Sequence, residues 1–281
     1  MPVVKQTKQT AAIERFRTLH GSGCFVLPNP WDRGTAIFLK HLGYDALATT
    51  SAGFAYSQGL PDPAVPRDLM LNHIRDIVNA TDLPVNADFQ HCYADDPASV
   101  AENVKLCVAT GVAGLSIEDS TGNREAPLYE FDLAVERVKA ARAAIDETGI
   151  PVVLTARCEA WLVGHEEPLR VALHRLQAFA EAGANCLYAP GTTDETEIAQ
   201  IVRAVAPKPV NVLASRPGFS VSQLADLGVR RISVGSALSR VAWSAFVQAA
   251  TQIKVTGSFD TLAITESPLD LNKLFDGMRR E

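Results

Sequence analysis

Cys24-Phe-Val-Leu-Pro-Asn-Pro-Trp31 opens as a short apolar run and breaks off in prolines. The run has the length of a buried strand and is too short for a helix. If it began a doubly wound nucleotide-binding sheet, a glycine-rich turn of the form G-x-G-x-x-G should follow it. Leu27-Pro-Asn-Pro-Trp31 contains no glycine, so that fold lacks its main signature at the first strand.

Working outward, further runs of the same kind occupy residues 46–49, 84–87, 113–117, 151–155, 186–188, 209–213 and 231–234. They are rich in β-branched residues and do not alternate cleanly between apolar and polar, as expected of parallel strands covered on both faces. Between them, residues 35–41, 68–79, 99–110, 133–147, 169–182, 195–205 and 236–253 carry apolar side chains at helical spacing. Gly43, Gly111, Gly149, Gly183 and Gly228 stand where helices close ahead of the next strand. A strand–helix unit repeated about eight times predicts an α/β fold, a (β/α)8 TIM barrel over residues 1–256. Residues 257–281 follow the last barrel helix. They hold Ser267-Pro268 and an amphipathic segment at 269–278, and read as a C-terminal helical extension.

The 281 residues, 47% of them hydrophobic, suffice for one large core. A net charge of -6 argues against nucleic acid or an anionic membrane as partner. No run of about 18 apolar residues marks a membrane span. Met1-Pro-Val-Val-Lys lacks the apolar centre of an export signal. The five cysteines are odd in number and form no C-x-x-C pair, which predicts reduced thiols and a cytoplasmic protein. Cys24, Cys107 and Cys186 lie in apolar runs and read as small core residues.

Active sites of such barrels lie on the loops after the strands. Those tips are polar here: Thr49-Thr-Ser-Ala-Gly53 after the second run, Asn86-Ala-Asp88 at the third, Glu118-Asp119 at the fourth, Arg157 and Glu159 at the fifth, Asn211 on the seventh. Any one acid serves equally well as a helix cap or an arginine partner. Acids on consecutive tips repel unless a cation lies between them. Oxygen donors suit Mg²⁺, with Mn²⁺ as the alternative, and a few carboxylates suffice because the ion keeps several waters. Asp88 and Glu118 are the expected ligands, with Asp62 reaching in from a loop. Arg157 offers a bidentate fork for a carboxylate or phosphate. A substrate role is expected for it, because otherwise its charge needs a buried acid such as Glu159 or Glu118. Thr50-Ser-Ala-Gly53 reads as a small-residue turn whose backbone N–H groups can hold an oxyanion. Ser120-Thr-Gly-Asn-Arg-Glu-Ala-Pro-Leu-Tyr129 is long for such a loop and reads as a mobile lid or a passive surface segment.

Taken together, Gly59-Leu-Pro-Asp62, Asn86-Ala-Asp88, Ile117-Glu-Asp119, Ala156-Arg157 and Asn211 resemble the isocitrate lyase/phosphoenolpyruvate mutase superfamily, over about residues 16–252. Ile117-Glu-Asp-Ser-Thr-Gly122 followed by Pro127-Leu-Tyr129 looks like its carboxyphosphonoenolpyruvate phosphonomutase-like branch. The resemblance implies a barrel that binds Mg²⁺ and a small 2-oxo or 2-hydroxy acid and works through an enolate-like intermediate. It implies Asp88 as direct metal ligand and Asp62 and Glu118 as holders of metal waters, with Asn86 in the same motif. Ser51, Ala52 and Gly53 would cradle substrate oxygens, and Arg157 and Asn211 would clamp the substrate. It also implies a homotetramer exchanging its last helices, which gives residues 257–281 a role.

The departures narrow the activity. Isocitrate and methylisocitrate lyases carry a lid with a catalytic Cys and a His, and Ser120–Pro127 has neither. Those two activities are therefore not expected. The phosphonomutase lid pattern is missing as well, although Asn123 and Arg124 are present, and Asn123 stays a catalytic candidate. Asp88-Phe-Gln-His-Cys-Tyr93 and Ala156-Arg-Cys-Glu159 place His91, Cys92 and Cys158 near the expected mouth. They read either as a new acid/base pair or as drift. The leading expectation is a Mg²⁺-dependent lyase that cleaves a bond beside the carbonyl of a small 2-oxo or 2-hydroxy carboxylate, as in oxaloacetate decarboxylation. C–P chemistry on a phosphonopyruvate-like substrate and a non-catalytic carboxylate-binding barrel are the alternatives.

Overall fold

The computed structural model describes residues 2–262 and 270–278. Eight parallel strands form it: β1 (Phe25–Leu27), β2 (Leu47–Ala48), β3 (Val85–Ala87), β4 (Gly114–Glu118), β5 (Val153–Arg157), β6 (Cys186–Tyr188), β7 (Val210–Leu213) and β8 (Arg231–Ser233). Each falls within or beside a run picked out by composition. Neighbours pair in sequence order and β8 pairs with β1, in register Phe25 to Arg231, which rolls the sheet into a (β/α)8 barrel.

The β1/β2 seam has no ladder. One backbone bond crosses it, from Ala48 N–H to the Pro28 carbonyl at 3.0 Å. A side chain completes the closure. The buried Asn29 amide donates to the Thr49 carbonyl, and its oxygen accepts from the N–H groups of Val234 and Gly235.

Helices α1 (Pro2–Gly21), α2 (Arg33–His41), α3 (Ser51–Ser57), α4 (Arg67–Ala80), α5 (Pro97–Val108), α6 (Phe131–Glu147), α7 (Pro168–Glu181), α8 (Glu195–Val205), α9 (Val221–Asp226), α10 (Ala237–Thr256) and α11 (Leu271–Met278) complete the described chain. The expected helices are all present. Their starts are set chemically: Asp32 and Thr35 form a capping box on α2, and Asp96 caps α5 ahead of Pro97. Gly43, Gly111, Gly149, Gly183 and Gly228 all have positive φ. At Gly183, with φ at 103°, a Cβ would also lie 2.6 Å from the Arg142 side chain. Of the C-terminal stretch, α11 falls on the amphipathic segment, while Ser267-Pro268 lies outside the described residues.

Helices α1, α3 and α9 were not legible as helices. α1 matters most, because it closes the end of the barrel where strands begin. Its Phe16 is fully buried, packs on Phe25 at the start of β1, and occupies the space a Cβ at Gly114 would need. Gln9 donates to the carbonyls of Val108 and Val112. Cys107 and Cys186 are buried as expected, and Cys24 is half-buried. Among the described residues no helix is long and apolar enough to cross a membrane.

Candidate active site

Strand tips β3, β4 and β5 bring Asp88, Glu118 and Arg157 together, as the pattern of polar tips requires. Arg157 is the hub. Its Nη1 donates to Asp88 Oδ1 at 2.7 Å, its Nε to Glu159 Oε1 at 2.7 Å, and its Nη2 lies 3.3 Å from Glu118 Oε2. The ring of Tyr188 lies under the guanidinium, 5.1 Å away. Arg157 is therefore not the free substrate-binding arginine expected: it has three acid partners. Asp119 points elsewhere. It is buried, accepts from Glu159 N–H, and pairs with Arg175, which ties the ends of β4 and β5 to α7.

Thr50-Ser-Ala-Gly53 is not a loose turn but the first turn of α3, capped by the Thr50 hydroxyl. Its Ser51 N–H donates to Asp88 Oδ2 at 2.9 Å, so both Asp88 oxygens are engaged. Asp62 comes in from the short 3₁₀ turn Asp62–Ala64. The Gln90 amide donates to its carboxylate at 3.0 Å and reaches its carbonyl as well. Burial, followed by the charge of Asp88, pushes the Asp62 carboxyl up, while bonds from Ser51 and Gln90 oppose. Burial also raises Glu118 well above the usual carboxylate range, and raises Glu159, in both cases against the pull of Arg157.

Asn86 adds the decisive oddity. Its Nδ2 donates to the Ala87 carbonyl at 3.2 Å, and its buried Oδ1, which lies against Gly114 at the start of β4, has no hydrogen-bond partner among the described residues. The residue faces a cavity of about 220 Å³ shared with Ser51, Ala52, Asp62, Asp88, Arg157 and Asn211.

Other candidates fall outside. His91, Asn123, Gly53 and Glu118 are not among the residues lining this cavity, although Glu118 reaches Arg157 at its edge. The backbone carbonyl of His91 accepts from Arg137, its ring leans on Tyr93, and burial lowers its pKa. Asn123 lines a separate crevice with Arg124 and Leu162, and its side chain accepts from Glu125 N–H. The segment around it is tied down by an antiparallel bridge between Ser120 and Leu128. Cys92 is fully buried rather than at the mouth, and burial pushes its thiol up to about 12. Cys158 is buried and its thiol is raised by burial and then by Asp119. Neither is a ready thiolate.

The backbone explains the misplacement. Gln90, Cys92 and Tyr93 are non-glycine residues at φ 49°, 59° and 55°. Such a conformation persists only where surroundings over-determine it. Here Arg137 reaches the carbonyls of His91, Ala94 and Asp95, and Asn103 reaches those of Cys92 and Tyr93. The coil turns His91 and Cys92 off the mouth and points Gln90 at Asp62. Gln90, Tyr188 and Arg231 belong to the site and were not singled out by sequence, whereas Glu159 was read as a strand-tip acid and does pair with Arg157. A charged residue opening an apolar strand, Arg231, was the one available signal.

Four carboxyls gather around Arg157, two of them lining the cavity beside Arg157 and Arg231, and the buried Asn86 oxygen finds no donor among the described residues. Both features fit a hard cation held by oxygen. Among the described residues no three metal-binding groups close around an ion unaided.

The family described as phosphoenolpyruvate phosphomutase matches residues 16–254. The chain is 46% identical to a candidate lyase/mutase of known structure from Burkholderia cenocepacia J2315, with a TM-score of 0.91 over 96% of this chain and 98% of that one. It is 33% identical to 2-methylisocitrate lyase of Escherichia coli K12, over 67% of this chain and 64% of that one. Oxaloacetate decarboxylase of Paraburkholderia xenovorans LB400 is 30% identical, over 76% and 71%. With the barrel, the acid cluster and these matches in hand, the chain belongs to the isocitrate lyase/phosphoenolpyruvate mutase superfamily, as an enzyme of the lyase/mutase type.

Proposed function

We propose that the protein is a Mg²⁺-dependent lyase that cleaves the C–C bond beside the carbonyl of a small 2-oxo or 2-hydroxy carboxylate. Decarboxylation of an oxaloacetate-like diacid is its simplest form. The observation that carries this reading is the excess of carboxylates around Arg157, together with the partnerless Asn86 oxygen. Asp88 would contact the ion, and Asp62, Glu118 and Asn86 would hold its waters. When bound, the ion supplies positive charge that polarises the substrate carbonyl.

The protein's own groups do the rest. The Nη1 arm of Arg157, now on Asp88, is the donor for which a substrate carboxylate competes. In the amino-terminal turn of α3 the Ser51 N–H is held by Asp88 and the Gly53 N–H by Thr50, so the Ala52 N–H is the donor left there for oxyanion charge in the same cavity. Breaking the C–C bond sends its electron pair onto the carbonyl as an enolate, which then takes a proton from solvent. That route needs no lid cysteine, and Ser120–Pro127 has none.

The test is a panel of 2-oxo diacids with Mg²⁺, followed by carbon dioxide release. Turnover of at least one member is expected, falling at least 100-fold in Asp88→Ala. If no member is turned over, or the substitution changes nothing, the proposal is wrong. The phosphomutase description of the matching family favours a second reading, C–P chemistry on a phosphonopyruvate-like substrate. Phosphorus NMR of the same incubations separates the two. The five unpaired cysteines support a cytoplasmic setting. We also propose a homotetramer, supported by the exposed Val241, Phe246, Val247 and Val255 along α10.

A further inference from the structure

Beneath the mouth lies a second arginine with a different company. Arg231, the first residue of β8, is 2% exposed and lines the same cavity as Asp88 and Arg157. Its Nε donates to Asn211 Oδ1 at 2.9 Å and its Nη2 to Thr155 Oγ1 at 3.1 Å. Its Nη1 lies 3.3 Å from His20 Nε2. The proton of that imidazole sits on Nδ1, because Nδ1 is 2.7 Å from the Phe16 carbonyl, which can only accept. Nε2 is therefore the lone pair that takes the arginine N–H, and His20 is neutral.

All three partners of Arg231 are thus uncharged, and among the described residues no carboxylate pairs with it. The acids above are already committed to Arg157. A guanidinium has five N–H donors, of which three are engaged here. A buried cation without an anion is costly unless something supplies one. Asn211, expected to clamp substrate directly, instead orients this arginine: its Oδ1 accepts from Arg231 and its Nδ2 donates to Ser233.

The spacing suits a particular ligand. Thr155 lies two residues before Arg157 on β5, a rise of roughly 6–7 Å along a strand. Arg231 therefore meets β5 one same-face position below Arg157, and the upper arginine is neutralised by acids while the lower is not. We propose that Arg231 is the anion anchor at the floor of the cavity, binding the distal carboxylate of a small dicarboxylate and making the enzyme selective for diacids over monoacids. The inference rests on the 2-oxo or 2-hydroxy acid reading of the mouth.

Malate and lactate, 2-hydroxy acids that differ by one carboxylate, are the probes, with oxalate as a short ligand for the mouth. Affinities are measured by calorimetry with Mg²⁺ for the wild type and Arg231→Met, with thermal melting as the check on folding. The wild type should bind malate at least 10-fold tighter than lactate. In Arg231→Met that preference should fall below about 3-fold, with lactate and oxalate binding unchanged. If the methionine variant does not fold, Arg231→Lys should still lose several-fold of the preference, because it lacks the fork. Oxalate binding without any preference for malate, or a preference that survives substitution, overturns the floor anchor alone. Failure of oxalate to bind the wild type overturns the reading of the mouth, and the anchor with it.

Discussion

Asp88 accepts Arg157 on one oxygen and the Ser51 N–H on the other, so its negative charge is matched even without a ligand. The guanidinium in turn holds three acids. Removing one member of a buried ion cluster strands the others, at a cost of about 3–5 kcal/mol. Arg157→Gln should therefore lower the unfolding free energy measured by chemical denaturation by that much, and Mg²⁺ should recover part of the loss; a variant as stable as wild type contradicts the cluster. Gln90 is a subtler case. Its amide orients Asp62, and outer groups of this kind typically change metal affinity 10- to 100-fold. Gln90→Leu should weaken the Mg²⁺-induced shift in melting temperature accordingly. Asp62, Asp88, Glu118 and Arg157 were legible because the barrel rule says where to look. His91 and Cys92 were misplaced because side-chain direction after three left-handed residues follows from Arg137 and Asn103, which lie far away in sequence.

Among the elements, all eight strands were readable from short β-branched runs. α3 was not, since Thr50-Ser-Ala-Gly53 has the composition of a turn, and only Thr50 at its head works as a cap. That hydroxyl fixes the helix start that aims Ser51 N–H at Asp88. Thr50→Ala should cost about 0.5–2 kcal/mol by chemical denaturation and reduce turnover as well. α1 was missed for the opposite reason: its polar and charged residues outnumber its apolar ones, and among the described residues its buried hydrophobic side chains are Ala12, Ile13 and Phe16. It is nonetheless the element that seats His20 against Arg231.

For the whole molecule, two buried imidazoles weaken the fold in acid, against the opposite pull of the raised carboxyls Asp62, Glu118 and Glu159. Burial and Arg231 lower His20 to about 3, and burial lowers His73, stacked on Phe54, to about 4, with Asp32 opposing. Both gain protons more readily in the unfolded chain, near pH 6.5. Their part of the stability is therefore intact above that value and falls as pH drops toward 4, by at most about 1.4 kcal/mol per pH unit for each. The change in denaturation midpoint between pH 7 and pH 5 should be less unfavourable in His73→Phe than in the wild type. The assembly is tested by light scattering: a tetramer of the 30.2 kDa chain is expected, and a monomer would leave the α10 face uncovered. Finally, the β1/β2 seam gives the ring one place to breathe. Seven strand junctions hold by ladders, while this one hangs on Ala48 and the Asn29 amide. In deuterated water the Ala48 amide should exchange ahead of those on β4 and β5, and Asn29→Asp, unable to donate, should unclasp the cylinder there first.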